Sequence, residues 1–200
     1  MEQEYKWCCT GAQQFEAIPL HPSVAPLVRK QQCIEMEARY YDSADGLVSR
    51  LGGSLRLRRE NDASVCCLKL ASRNRANGSC KIREEFECAA PDIDIGLNLL
   101  PQVGAPQDVC TVLLTGGVTE LGFTRFTRRA YLLDTDDCTA ELAFDSGSLG
   151  RGGKTAPICE IELELKSGSS TAFQQLAQTL QQTFSLTGQS LSKLGRMMSL

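Results

Sequence analysis

The chain holds one histidine, no Cys-x-x-Cys pair, no contiguous basic tract and no run of about 18 apolar residues. Each absence removes a class of function. His21 stands alone beside prolines, so neither an imidazole metal site nor a histidine general base is expected. The ten cysteines include the adjacent pairs Cys8, Cys9 and Cys66, Cys67, a spacing that argues against structural zinc. Adjacent strand residues point to opposite faces, so these thiols are expected to be reduced and packed as small apolar groups. A net charge of −3 without a basic tract does not indicate a nucleic-acid footprint. The amino terminus opens on charged residues with no apolar signal core, so a cytoplasmic chain that does not enter membranes is expected.

What is present is charge at every second residue. Glu2, Glu4 and Lys6 begin the chain, Arg56 and Arg58 lie in the middle, and Glu160, Glu162, Glu164 and Lys166 come near the end. Side chains two apart on a β-strand share a face, so each stretch has one ionic face and one of Tyr5 and Trp7, Leu55 and Leu57, or Ile161, Leu163 and Leu165. Carboxylates on one face stand about 7 Å apart and repel unless cations intervene. With 200 residues and 42% hydrophobic content, one domain over 1–200 can bury a substantial core.

The pattern predicts strands at 2–9, 34–42, 55–61, 64–71, 81–88, 123–134, 140–145 and 158–166, and a hairpin through Glu60, Asn61 and Asp62. It predicts a short helix at 22–31, a loop or frayed helical stretch at 91–106 and a short helix at 107–115. Arg73 to Ser79 reads as a polar turn and Gly147 to Pro157 as a linker. The clearest helix runs over 171–184, capped by Ser169 or Ser170, with Phe173, Leu176, Ala177, Leu180 and Phe184 on one stripe. Hairpin-length links without a repeating strand, helix, strand order favour a mainly β, α+β fold: an eight-stranded antiparallel closed barrel with a few covering helices.

The helix stripes need an apolar wall to pack on, so the charges are expected inside the barrel. Unpaired buried ions cost several kcal/mol each, so such a lumen must be wet, internally paired, or filled by ligand and cations. The competing arrangement is a solvated sheet face balanced by cross-strand ion pairs. For a single strand that arrangement would prevail; several ionic rows opposite aliphatic rows favour the charged interior. A triphosphate with Mg²⁺ or Mn²⁺ satisfies both signs, because guanidinium and ammonium groups engage phosphate oxygens while carboxylates suit hard cations.

Glu2-x-Glu4-x-Lys6 resembles the opening signature of the CYTH domain, or triphosphate tunnel metalloenzyme, superfamily. Tyr40-Tyr41-Asp42, Leu55-Arg56-Leu57-Arg58, Glu141 to Asp145, Pro157 to Lys166 and Ser190 to Arg196 resemble its later motifs, in order and over nearly the whole chain. The closing segments look most like bacterial inorganic triphosphatases. That resemblance implies an eight-stranded tunnel hydrolysing inorganic tripolyphosphate to pyrophosphate and phosphate, without the appended carboxy-terminal helical domain of many such enzymes.

On this reading Glu2, Glu4, Asp145, Glu160 and Glu162 are the expected ligands of one or two divalent metals. Glu85 and Glu141 are further candidates. Lys6, Arg56, Arg58, Lys69, Arg83 and Arg128 are expected to clamp phosphate, with Lys193 and Arg196 at one tunnel mouth. The remaining alternatives are a class IV adenylate cyclase or a thiamine or nucleoside triphosphatase of the same fold, and a non-catalytic polyphosphate or nucleotide sensor.

Overall fold

The structure, a computed structural model, describes residues 3–9, 11–71 and 83–200. Glu2 and the predicted turn at 73–79 lie outside the described residues, as does the side chain of Arg83. Among the described residues no helix is long and apolar enough to cross a membrane.

Among the described residues nine strands form one antiparallel sheet: β1 (Glu4–Cys8), β2 (Val28–Asp42), β3 (Ser54–Glu60), β4 (Ala63–Ala71), β5 (Arg83–Ala89), β6 (Thr119–Asp134), β7 (Cys138–Arg151), β8 (Lys154–Gly168) and β9 (Thr187–Gly188). Their order is β5-β4-β3-β2-β6-β7-β8-β1-β9. The strand beyond the eight predicted is the two-residue β9, which pairs with Trp7 and Cys8 and is too short to leave a periodic signal. Among the described residues the end strands β5 and β9 do not pair with each other.

Alternation sorts the two faces as the sequence predicts on β1, β4, β7 and β8. On β2 the ionic row Glu35, Glu37 and Arg39 instead faces outward, where Arg59 and Arg125 pair with Glu37, and Met36, Ala38 and Tyr40 face inward. On one part of the outer face Trp7, Leu142, Phe144, Ile161 and Leu163 pack beneath α1 (Ala12–Leu20) and α5 (Ser170–Thr183), through Phe15 and Ile18 of the first and Phe173, Ala177 and Leu180 of the second. Ser169 caps α5, its hydroxyl accepting from the Ala172 amide. On another part Leu55, Cys66 and Leu68 pack beneath α2 (Leu47–Arg50), α3 (Ile93–Leu99) and α4 (Gln107–Gly116). A third cluster, with Met36, Ala38, Tyr40 and Phe126, lies on the inner face under Met197 of α6 (Lys193–Met198).

Several boundaries differ from the sequence reading. The helix predicted at 22–31 is a single 3₁₀ turn, Ala25–Leu27, and β2 begins at Val28. Pairing with β6 along the whole of β2 overrides the local polarity of Arg29 to Gln32. The helical element lies earlier, in α1, whose two core contacts at Phe15 and Ile18 give only a faint periodicity. The predicted linker at 147–157 is instead the continuation of β7 and β8, closed by a two-residue turn between paired Arg151 and Lys154. Gly152 and Gly153 both have positive φ, 56° and 82°, as a tight hairpin turn of this twist requires. The stretch at 91–106 contains α3 and a 3₁₀ turn, Leu100–Val103.

Asp42, 3% exposed, ends β2 and holds α2 in place. Its carboxylate accepts from the amides of Ser43 (2.8 Å), Val48 (2.8 Å) and Ser49 (3.0 Å) and from the Ser49 hydroxyl (2.6 Å). Hydrogen bonds to a charged acceptor are worth more than neutral ones, and deletion strands buried donors. Asp42→Ala is expected to lose about 3 kcal/mol in urea unfolding; a loss under about 1 kcal/mol would show that α2 stands without the carboxylate.

Candidate active site

Side chains from all eight longer strands, among them Glu4, Gln32, Arg56, Lys69, Glu85, Arg128, Glu141 and Glu162, line one cavity of about 560 Å³. The sheet therefore curves until strands β1 to β8 share a single hollow, with the charges turned into it. Three sectors can be distinguished: a basic one on β3 and β4, an acidic one on β7, β8 and β1, and a largely uncharged one on β2 and β6.

Register builds the acidic sector. Arg128, Asp145, Glu160 and Cys8 are successive cross-strand neighbours, and so are Glu141, Glu164 and Glu4. Like charges directly opposite destabilise a sheet, so cations must stand among them. Arg128 makes paired hydrogen bonds to Asp145, both at 2.8 Å, and also donates to Glu162. Lys6 reaches Glu162 at 3.1 Å and Glu4 at 3.3 Å. Lys166 reaches Glu164 at 2.8 Å.

The closest arrangement is around Lys193. Asp145, Glu160 and Glu162 have carboxylate oxygens within 4.8 Å of one another, the geometry of a group able to hold a cation. The Lys193 ammonium lies 2.8 Å from Asp145, 2.9 Å from Glu160 and 2.8 Å from Glu162. It comes from the first turn of α6, where the Ser192 hydroxyl accepts from the Gly195 amide. Asp145 and Glu160 are fully buried, and neither lines the cavity; Glu162 does. Arg196, from the same helix, binds Glu160 and the Pro157 carbonyl. Sequence reasoning places Lys193 at a tunnel mouth, but it is only 7% exposed, with its ammonium also 4.9 Å from the Phe126 ring centre.

Burial alone would raise the Glu162 carboxyl, but Lys193, then Lys6 and Arg128, hold it well below its ordinary 4.5. Burial lowers Lys193, yet Glu162, Asp145 and Glu160 outweigh it and raise the group above its ordinary 10.5. Lys6 is raised likewise, with burial opposed by Glu162 and Glu4. Glu162 thus contributes stability that is fully present above pH 4.5 and is lost as pH falls through its lower folded value. The two lysines contribute stability fully present below pH 10.5 and lost as pH rises through their folded values. The unfolding temperature is expected to be level between about pH 5 and 10 and to fall on both sides. Glu162→Gln should flatten the acid limb; an unchanged acid limb would place its cause elsewhere.

In the basic sector Lys69 lies 3.0 Å from Glu85, Arg56 lies 3.8 Å from the same carboxylate, and Arg58 pairs with Glu87 at 3.1 Å and Glu60 at 2.6 Å. Among the described residues Arg56 Nε is buried without a hydrogen-bond partner, as is Arg58 Nε. Donors of this kind beside a cavity suit an anion. Cys67 donates to Glu85 at 3.2 Å, and burial pushes its thiol up to about 12, so it stays protonated at neutral pH. Cys67, Glu85 and Glu87 form the second group whose donor atoms lie within 4.8 Å.

The structure thus brings Glu4, Lys6, Arg56, Arg58, Lys69, Glu85, Arg128, Glu141, Glu162 and Lys193 onto one cavity, with Asp145, Glu160 and Arg196 behind the wall. It adds Glu60, Glu87, Glu164 and Lys166. Each continues an alternating row already visible in the sequence, so period two alone would have found them. Phe126, two residues before Arg128, and Tyr40 also line the hollow; the period of two marks the first, whereas Tyr40 follows no inward charge row on β2.

The sequence profile of the CYTH domain family matches residues 1–197. This chain is a member of the CYTH domain family. A Haemophilus influenzae inorganic triphosphatase is 27% identical over 135 residues, 65% of this chain and 36% of that protein. The chain thus spans well under two thirds of that relative. Two solved structures share the fold: a Hippeastrum putative adenylyl cyclase described as having a dominant triphosphatase activity, and a protein from Pyrococcus horikoshii. The first superposes with a TM-score of 0.64 at 19% identity, over 100% of this chain and 96% of its own. The second gives 0.62 at 20% identity, over 100% and 99%. The two solved structures, both at 20% identity or less, show a shared fold, and the cavity of this chain carries an acidic and a basic sector.

Proposed function

We propose that the chain hydrolyses inorganic tripolyphosphate to pyrophosphate and phosphate with Mg²⁺ or Mn²⁺, the curved sheet serving as a tunnel that holds the substrate along its axis. The observation that carries the reading is the pairing of an acidic with a basic sector across one cavity, with the buried Arg56 Nε making no hydrogen bond among the described residues. Arg56, Arg58 and Lys69 bind phosphate oxygens, the guanidinium forks orienting the chain of phosphates and the ammonium adding a point charge. Arg83, on β5, is assigned to the same clamp from its place two residues before Glu85 in the sequence.

All-oxygen donors on the cavity wall fit a hard divalent cation better than zinc. Glu4 and Glu162, with Glu141 and Glu164, would hold it, and Glu2 joins them from its motif. When bound, such an ion supplies charge neutralisation at phosphate and an acidified water. Lys6 bridges Glu4 and Glu162 and fixes their orientation. Arg128 and Lys193 keep Glu162 ionised, and Asp145 and Glu160 in turn hold those two cations and Arg196 in place.

One observation favours a second reading. Gln32, Ile34 and Met36 give the cavity an uncharged wall on β2 beside the clamp, which could seat an organic group. A substrate panel separates the possibilities: tripolyphosphate, ATP and thiamine triphosphate with each metal, measuring phosphate and cyclic AMP. Phosphate release fastest from tripolyphosphate is expected. Preference for ATP cyclisation or thiamine triphosphate would select the second reading, and tight binding without turnover a sensor.

A further inference from the structure

Nine free cysteines are distributed over the described residues, and their positions are not equivalent. The β1 and β8 register pairs Cys8 with Glu160, so the next residue, Cys9, stands opposite Cys159, and its amide donates to the Cys159 carbonyl at 3.2 Å. Residues that exchange such bonds in an antiparallel pair have Cα atoms about 5.5 Å apart, inside the range that a disulfide spans. Both side chains pack at the edge of the same outer core, so they share a face. The Cys9 thiol donates to the Gly11 carbonyl at 3.0 Å, and burial, with Cys9 beside it, pushes the Cys159 thiol up to about 11. Both are partly exposed.

The other cysteines lack one of these features. Cys8 points the opposite way, where it accepts from the Gln189 amide nitrogen at 3.4 Å. Cys66 and Cys88 are also cross-strand partners, but Cys66 is sealed beneath Gly96 of α3 with no exposed surface. Both thiols of the first pair have exposed surface, whereas in the second only Cys88 does.

We propose that Cys9 and Cys159 are a redox modification site, closing reversibly to a cross-strand disulfide that pins β1 to β8. The consequence follows from topology. β1 carries Glu4 and Lys6 into the cavity, yet beyond β8 its only strand partner among the described residues is the two-residue β9. A link at the end of β1 holds its register with β8 and resists fraying of that edge.

A low-molecular-weight disulfide, oxidised glutathione, is the oxidant. One protein thiolate attacks a glutathione sulfur; a protein–glutathione S–S bond forms, the glutathione S–S bond breaks, and one glutathione thiolate leaves. The second protein thiol gives its proton to solvent and attacks the first protein sulfur, displacing the second glutathione thiolate. Two protein thiols are oxidised and one glutathione disulfide is reduced to two thiols.

The test incubates the full chain with oxidised glutathione and reads intact mass, a non-reducing peptide map and the unfolding temperature, none of which depends on the proposed reaction. The expected result is loss of two hydrogens, a peptide joining Cys9 to Cys159, and an unfolding temperature raised by several degrees and restored by dithiothreitol. Cys8→Ser should behave as the parent, while Cys159→Ser should form no such link. Stable glutathione adducts without a crosslink, a link through Cys8, or a crosslink that leaves the unfolding temperature unchanged would overturn the proposal.

Discussion

Lys193→Met will unfold well below the parent chain, by about 6–20 °C, from a loss of about 3–5 kcal/mol. The side chains are similar in length, so the change removes chiefly the ammonium set among Asp145, Glu160 and Glu162. Two of those carboxylates have no exposure to water and cannot recover solvation when the cation goes. Arg128, Lys6 and Arg196 oppose only part of the remaining charge. The Glu162 carboxyl will move up, so the acid limb of stability will begin at higher pH in the variant. Because the three carboxylates already converge within 4.8 Å, Mn²⁺ should restore part of the lost unfolding temperature in Lys193→Met and have less effect on the parent. A loss below about 1 kcal/mol would mean that the ammonium is not what holds the cluster.

Glu4→Gln is expected to lower kcat by about 100- to 1000-fold with little change in unfolding temperature. Glu4 stands opposite Glu164 in the β1 and β8 register, so neutralising it relieves like-charge contact and offsets the loss of its pairing with Lys6. The amide keeps the shape and lining of the cavity but removes an anionic oxygen donor. Turnover of tripolyphosphate and its dependence on metal concentration measure the effect. Full activity with unaltered metal dependence would remove Glu4 from the proposed metal-binding set; a collapse in stability would assign it a structural role instead.

Which side chains meet in the cavity was largely legible in the sequence because a strand has a strict period of two. Glu4 and Lys6, Arg56 and Arg58, and Glu162 and Glu164 needed only that rule, together with the stripe on α5 demanding an apolar wall behind them. The α1 helix and the hairpin at Gly152 and Gly153 were not legible. The first has two core anchors in nine residues, and turn-forming residues at 147–157 look alike in a linker and in long paired strands. The length of β2 was hidden for the same reason, since it is fixed by pairing with β6 at residues whose own composition is polar.

By itself the sequence determined the faces of β1, β4, β7 and β8, with ionic residues on one side and aliphatic residues on the other, and the family motifs in order along the chain. On β2 the ionic row Glu35, Glu37 and Arg39 lies outside, which the alternation alone did not tell. Tertiary structure alone decided the division among the acids. Glu160 and Glu162 share a row two residues apart, yet Glu160 is sealed between Lys193 and Arg196 while Glu162 lines the cavity. No local periodicity contains that distinction, because it depends on where α6, at the far end of the chain from β1, lays its ammonium group. Coulomb attraction among buried groups acts through space and not along sequence, and it seals one carboxylate behind the wall while its row neighbour stays on the cavity surface, paired with Lys6, Arg128 and Lys193.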